Sequence, residues 1–449
     1  MGLRSDFIWG AATAAIQIEG AGQEGGRSLS NWDVFSEIPG AIKGGDSPLE
    51  GVDHYRRMRS DVMLMKELGI RAYRFSISWP RILPQGTGEV NQDGLRFYNE
   101  LVDTLLEVGI TPYVTLYHWD LPYNLHLQGG FLNPAMPSWM ENYAKVVVDA
   151  LSDRVSNWIT LNEPQCFLGL AYKDAVHAPG WRLSDREMAL AVHNTLLCHG
   201  KILHVIRTFA KTKAKVAFVQ ATPFTSVPVT EKDIEAARDR QFMLSDSFAN
   251  SGVLYTDAIY RGKYPDEYLS RYQDILPVIT DDDMRLISAP LDYFGLNLYG
   301  GDFVQRGVDG KPVVVPRIKG YARTALDWDV RPEIMYWTLK FCYERYRVPI
   351  LVTENGMSGN DWIHVDGHIH DADRIDFLHR YLKCMRSAVD DGVDIRGYFH
   401  WSLFDNFEWS LGFAERFGLV FVDYVTGERT IKDSGYWYRD IVKSNGLSL

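Results

Sequence analysis

The feature that most limits what this chain can fold into is a unit that recurs along it: an amphipathic helix, a glycine, then a short apolar, β-prone run. One helix reads over 54–68, stops at Gly69 and leads into 70–78. A second, over 95–108, carries Leu95, Tyr98, Leu101, Val102, Leu105 and Val108 on one face, stops at Gly109 and leads into 111–118. A third, over 374–391, stops at Gly392 and leads into 395–402. Glycine closes a helix because it reaches left-handed backbone angles at little cost. An unbroken apolar run is what a strand buried on both faces requires. Such runs number eight, near 7–13, 72–76, 113–118, 158–162, 216–220, 293–299, 350–353 and 397–402. They predict an α/β chain folded as one (β/α)₈ barrel over 1–449, a TIM barrel. Long stretches such as 14–71 and 301–348 then become loops and short elements that enlarge its mouth. A doubly wound sheet is the alternative that the spacing leaves open.

At 449 residues the chain is long for one average domain but ordinary for such a barrel, and 46% hydrophobic residues supply a large core. Charge narrows the partners. The chain has 47 basic and 58 acidic residues and no block of five or six Lys/Arg, which argues against nucleic acid or an anionic membrane surface. No run of 18 apolar residues and no apolar leader is present, so the expected compartment is the cytoplasm. Cys166, Cys198, Cys342 and Cys384 lie too far apart for a zinc motif or a disulfide scaffold. They read as reduced thiols. The sequence assigns no oligomeric state.

In a barrel of this kind chemistry belongs at the carboxyl ends of the strands. Those ends carry Gln17 after the first, Arg74 on the second, His118 and Trp119 at the third, and Asn162 and Glu163 at the fourth. Asn297 and Tyr299 stand at the sixth, Glu354 and Asn355 at the seventh, and Trp401 at the eighth, followed by Glu408 and Trp409. Two carboxylates, several carboxamides, a histidine and aromatic walls suit a sugar, whose C–H faces pack on rings while its hydroxyls need polar partners. Cleaving an acetal needs one protonated carboxyl for the departing oxygen and one ionised carboxyl to attack, or to activate water. Glu163 and Glu354 are far apart in sequence. Strands four and seven, facing one another across an eight-membered ring, would bring them together. Arg74 is the cation placed to keep one of them ionised. Each residue alone has a plainer reading as a solvated acid, a structural ion pair or a core tryptophan. Their joint occurrence at the strand ends is what carries weight.

The segments FIWGAATAAIQIEG (7–20), RFSISWP (74–80), TLYHWDLP (115–122), TLNEP (160–164), HAPG (177–180), DYFGLNLY (292–299), TENG (353–356) and GYFHWSLFDNFEWSLGFAERFG (397–418) resemble those of glycoside hydrolase family 1, in that family's order. The resemblance implies a retaining β-glycosidase, most often a β-glucosidase, acting on a small β-glycoside without cofactor or metal. It implies Glu163 as acid/base and Glu354 as nucleophile. It further implies sugar contacts from Gln17, His118, Trp119, Asn162, Trp401, Glu408, Trp409 and Phe417. Asn297 and Tyr299 would lie beside the nucleophile, Arg74 beneath it, and Trp328 would be a platform for the leaving group.

This chain departs from the bacterial pattern at Gln165, where Trp is frequent, at Thr222, where Asn is expected near strand five, and at Ile16, where Tyr is usual. Gln165 and Thr222 mark the leaving-group region. A Trp-sized wall replaced by Gln predicts tolerance of bulky or polar leaving groups, unless Ile16, Trp181 or Phe224 refills the space. Activity on β-galactosides or β-fucosides, and transfer to sugar or alcohol in place of water, stay open. Two other classes are weighed. A sugar-binding barrel without catalysis is disfavoured because both carboxyls are present. A Schiff-base lyase or isomerase is disfavoured because no Lys stands at a predicted strand end. His364, His368 and His370 read as a polar loop more readily than as a zinc site, and His193, His199 and His204 as packing residues.

Overall fold

The computed structural model describes residues 3–221 and 224–449, so Thr222 lies outside the described residues. Eight parallel strands close into a barrel: β1 (Ile8–Ala12), β2 (Ala72–Ser76), β3 (Thr111–Tyr117), β4 (Asn157–Asn162), β5 (Lys215–Ala221), β6 (Tyr293–Asn297), β7 (Ile350–Asn355) and β8 (Ile395–Trp401). Each pairs with its neighbours in sequence, and β8 closes the ring on β1 with Ala12 opposite Trp401. One helix follows each strand: α1 (His54–Glu67), α2 (Gln92–Glu107), α3 (Met136–Leu151), α4 (Asp185–Phe209), α5 (Gly252–Arg261), α6 (Ile334–Tyr346), α7 (Ala372–Asp390) and α8 (Asp433–Lys443). Gly69, Gly109 and Gly392, the three helix-closing glycines, have φ of 66°, 82° and 88°. No Cβ is tolerated there without strain.

One expectation needs correction. β4 and β7 do not face one another: β5 and β6 separate them on one side and four strands on the other. Their side chains meet because long groups lean inward over the barrel, and because the pairing of β7 slips near its end. Register shifts fall between Val352 and Glu354 against β6, and between Val352 and Asn355 against β8. Such irregularities re-aim a side chain. The stretch 301–348 contains short elements of the kind expected. Asp302–Arg306 pairs with Pro312–Val314 and with Ser226–Pro228 in a three-stranded sheet beside the mouth.

The main core lies between the strands and the helix ring. The barrel interior is filled by a smaller cluster, including Ala12, Ala72, Tyr113, Leu351 and Phe399. Its floor is tight. A Cβ on Gly10 would stand 2.4 Å from the Phe399 ring and 2.6 Å from the Ala72 carbonyl oxygen, a backbone atom that cannot turn aside. Gly10→Ala should therefore overpack the floor and cost about 1–3 kcal/mol, read as a lower urea midpoint with an unchanged slope. An unaltered midpoint would mean that the strands yield at no cost.

Candidate active site

The side chains at the carboxyl ends form one network, and its hub is a guanidinium. Arg74, buried in the middle of β2, donates through Nη1 to Glu354 Oε1 (2.5 Å) and to the Thr353 carbonyl oxygen (3.1 Å). Its Nη2 donates to Asn162 Oδ1 (2.6 Å), and its Nε reaches Thr115 Oγ1 at 3.4 Å. One planar fork thus ties β2 to β3, β4 and β7, a task suited to arginine's fixed donor geometry. Glu354 takes a second donor, Tyr299 Oη, on Oε2 (2.7 Å).

Glu163 sits just past β4 with φ of 47°, in the left-handed region, as the residue before the short helix Pro164–Tyr172. Pro164 opens that helix without wasting an amide hydrogen. Trp119 and Trp409 are also non-glycine residues at positive φ. Backbone held this way costs energy and persists where the surroundings impose it. Glu163 Oε1 accepts from Asn297 Nδ2 at 2.6 Å. The same Nδ2 reaches Asn162 Oδ1 at 3.2 Å, and the carboxamide is fixed by Thr353, whose hydroxyl donates to Asn297 Oδ1 at 2.6 Å. Asn297 was expected beside the nucleophile. It stands there: Asn297 is the strand neighbour of Glu354 and its carboxamide favours the ionised form of that acid, while also bonding to Glu163 and Asn162.

The two carboxyls differ in environment. Burial raises both, and Arg74 opposes the rise at Glu354. Glu163 is pushed up to about 7, first by burial and then by the charge of Glu354. The pair is built to hold one proton, on Glu163. Glu408 is raised to about 8 by burial and then by Glu354, Glu415 and Glu163.

Hydrogen-bond bookkeeping fixes His118. Asn162 Oδ1 accepts from Arg74 and Asn297, so Asn162 Nδ2 is the donor to His118 Nε2, at 3.0 Å. Burial, and then Arg74, hold His118 well below its ordinary pKa, so the ring is neutral and its proton lies on Nδ1. That Nδ1 has no partner, and neither has Glu408 Oε2. A buried polar atom left unpaired costs about 1–3 kcal/mol. A hydroxylated ligand would relieve both.

Aromatic rings complete the walls. The imidazole of His118 stacks on Trp401 and Trp409, with both ring centroids 5.9 Å away. Trp409 is pinned in turn by Trp119 (4.3 Å) and Trp32 (4.6 Å). Trp119 donates to the Asn162 carbonyl oxygen at 2.8 Å. Trp328, 38% exposed, stands at the rim beside Tyr299 (5.5 Å) and Phe417 (6.2 Å).

These residues enclose an inner cavity of about 260 Å³, lined by Glu163, Glu354, His118, Trp401, Glu408 and Phe417 among others. It opens past Cys166, Tyr299 and Trp328 into an outer cavity of about 600 Å³. Asn297 and Gln165 line the outer one. Gln17 lines neither. It donates to Asn406 Oδ1 (3.0 Å) and the Phe407 carbonyl oxygen (2.8 Å), and so braces the segment that leads to Glu408. Ile16 is buried, Trp181 leans on His126, and Phe224 lies under Arg240, so none of the three refills the outer cavity. The sequence reading missed Thr115, Thr353 and Asn406, which orient the functional groups, and Cys166. Thr353 and Thr115 fall inside quoted motifs, and a buried hydroxyl within an apolar strand is the signal that could have found them. His370 bonds to Asp433 and Asp366, His193 to Tyr264, and His199 to Thr160. Among the described residues no helix is long and apolar enough to cross a membrane.

The model of the family described as glycosyl hydrolase family 1 matches residues 1–447. The chain is 45% identical over 445 residues to beta-glucosidase A of Thermotoga maritima, covering 98% of each. It is 44% identical over 446 residues to the 1,4-beta-D-glucan glucohydrolase of Thermotoga neapolitana, again covering 98% of each. The structure of the T. maritima beta-glucosidase in complex with glucoimidazole superposes with a TM-score of 0.91 at 44% identity, covering 99% of this chain and 100% of that one.

Replacing Arg74 tests the network. Arg74→Gln leaves Glu354 buried without its cation, so its pKa rises and the acid limb of kcat/KM moves to higher pH. Folding stability should fall by about 3–5 kcal/mol, as for one partner lost from a buried pair. An acid limb that stays in place would show that Arg74 does not set the ionisation of Glu354.

Proposed function

This chain belongs to glycosyl hydrolase family 1 and is a retaining β-glucosidase, and on that premise we propose that Glu354 is its nucleophile and Glu163 its acid/base. The observation that supports the assignment is the asymmetry of the two carboxyls. Glu354 has a guanidinium on one oxygen and a phenol on the other. Glu163 has one carboxamide donor on Oε1 and no cation. A β-glucoside enters with its glycone in the inner cavity. Glu163, protonated, gives its proton to the departing oxygen while Glu354 attacks the anomeric carbon and forms an α-linked glucosyl ester. Esterification removes the charge of Glu354. Glu163 then becomes more acidic and takes a proton from the water that releases glucose with its original configuration.

In the glycone site His118 donates through Nδ1 and Glu408 accepts through its free oxygen, with Trp401, Trp409 and Phe417 as walls. Gln17 acts on this site by bracing the Glu408 segment. An unphosphorylated hexose fits best, because the inner cavity presents three acids, Glu163, Glu354 and Glu408, and, among the described residues, no Lys or Arg to a 6-phosphate dianion. The four cysteines are free, which suits a reducing compartment, and we place the enzyme in the cytoplasm.

The test of the acid pair is the pH profile of kcat/KM. With Glu163 raised to about 7 and Arg74 favouring the ionised form of Glu354, the profile should be a bell whose alkaline limb reports loss of the Glu163 proton. Glu163→Gln should abolish that limb for a substrate with an activated leaving group. Glu408→Gln should keep the limb and lower kcat/KM by about 2–4 kcal/mol of transition-state binding. If Glu408→Gln removes the limb and Glu163→Gln does not, the acid has been misassigned.

The outer cavity receives the leaving group, with Trp328 as its platform. Gln165 is buried in its wall; its amide contacts Cys166 Sγ at 3.4 Å and its carbonyl oxygen has no donor. A polar aglycone supplies one. Gln165→Trp should therefore shift preference among bulky leaving groups by about 1–2 kcal/mol, with a small activated aryl glucoside nearly unaffected. Equal losses on every substrate would show that Gln165 supports Glu163 instead.

A further inference from the structure

Behind the rim that carries Trp328 lies a second, separate cavity of about 420 Å³, lined by Arg323, Thr324, Asn360, Trp362, Asp373 and Arg374 among others. The wall between it and the active site is one turn. Thr324 N donates to the Trp328 carbonyl oxygen (2.9 Å), and Leu326 N to Ser358 Oγ (2.9 Å). Leu326 and Trp328 face the inner cavity, while Thr324 and Ser358 line the rear one.

Three observations converge on this rear cavity. Trp362 is 59% exposed, one of the largest apolar side chains left open to water, and one face of its indole is pinned by stacking on His364 (4.9 Å, 21°). Arg374 is 1% exposed and donates through Nη2 to Asp361 (2.7 Å) and the Arg416 carbonyl oxygen (2.9 Å), and through Nη1 to Asp371. Its Nε–H finds no acceptor. The charges lining the cavity oppose one another: three basic side chains, Arg323, His370 and Arg374, against three acids, Asp361, Asp371 and Asp373. A site of balanced charge holds neither a strong anion nor a cation. A fixed aromatic face beside a carboxamide, a hydroxyl, a carboxylate and a spare guanidinium donor suits a neutral polyhydroxylated ring.

We propose that this rear cavity is an accessory binding site for a free monosaccharide, with D-glucose, the product of the barrel site, as its ligand. The pyranose lies on the indole of Trp362, and Asn360, Asp373 and Arg374 Nε–H meet its hydroxyls. The site does not use Glu163, Glu354 or any residue of the inner cavity.

Saturation-transfer NMR with D-glucose tests this on full-length protein whose barrel site is saturated with deoxynojirimycin. The wild type should still give glucose signal. Trp362→Ala should reduce that signal about fivefold or more, and Asn360→Ala should reduce it as well. Trp362 is largely exposed, so both variants should fold, and kcat/KM on a small aryl glucoside should stay within about twofold of wild type. Loss of all glucose signal on blocking the barrel overturns the proposal. So does a signal that survives undiminished in both variants.

Discussion

One buried ion pair organises the barrel mouth. The Arg74 guanidinium lies at the barrel's centre, out of water, and its charge is balanced by Glu354. An isolated charge at that depth would cost far more than the fold could sustain. The polar groups around it are arranged by this pair. Asn162 turns its oxygen toward Arg74 and so offers its amide to His118. His118 is thereby left with a donor on Nδ1. Asn297, the strand neighbour of Glu354, spans the two acids and donates to Glu163. The protonation pattern follows: the acid with the cation ionises first, and its charge keeps the second acid protonated.

Preorganisation explains why side chains that would otherwise be costly are kept. His118 Nδ1 and Glu408 Oε2 have no partner within the protein, and Trp119, Glu163 and Trp409 hold left-handed backbone angles. Each feature is unfavourable locally. Together they present a fixed set of donors, acceptors and ring faces to a sugar, so little reorganisation remains when substrate binds. The aromatic stack around Trp409 supplies the rigidity this requires.

The barrel was legible because its physics repeats. A helix that buries one face, a glycine that stops it and a strand buried on both faces leave the same pattern along the chain. Polar residues at the ends of apolar strands stand out against it. What stayed hidden has physical reasons too. Thr115 and Thr353 stand out as hydroxyls inside apolar strands, but which side chains they orient, Arg74 and Asn297, is set by the packing across strands. The sheet formed by Ser226–Pro228, Asp302–Arg306 and Pro312–Val314 has strands of three to five residues with prolines at two ends, too short for a periodicity.

The most direct test of the central claim, that Arg74 singles out Glu354 as the group that bonds to the sugar, is to trap the covalent ester. A 2-deoxy-2-fluoro-β-glucoside with an activated leaving group should inactivate the enzyme with one equivalent of sugar bound. Peptic digestion and mass spectrometry should then locate the added mass on Glu354. A label on Glu163 or Glu408, or turnover with no ester formed, would contradict the account.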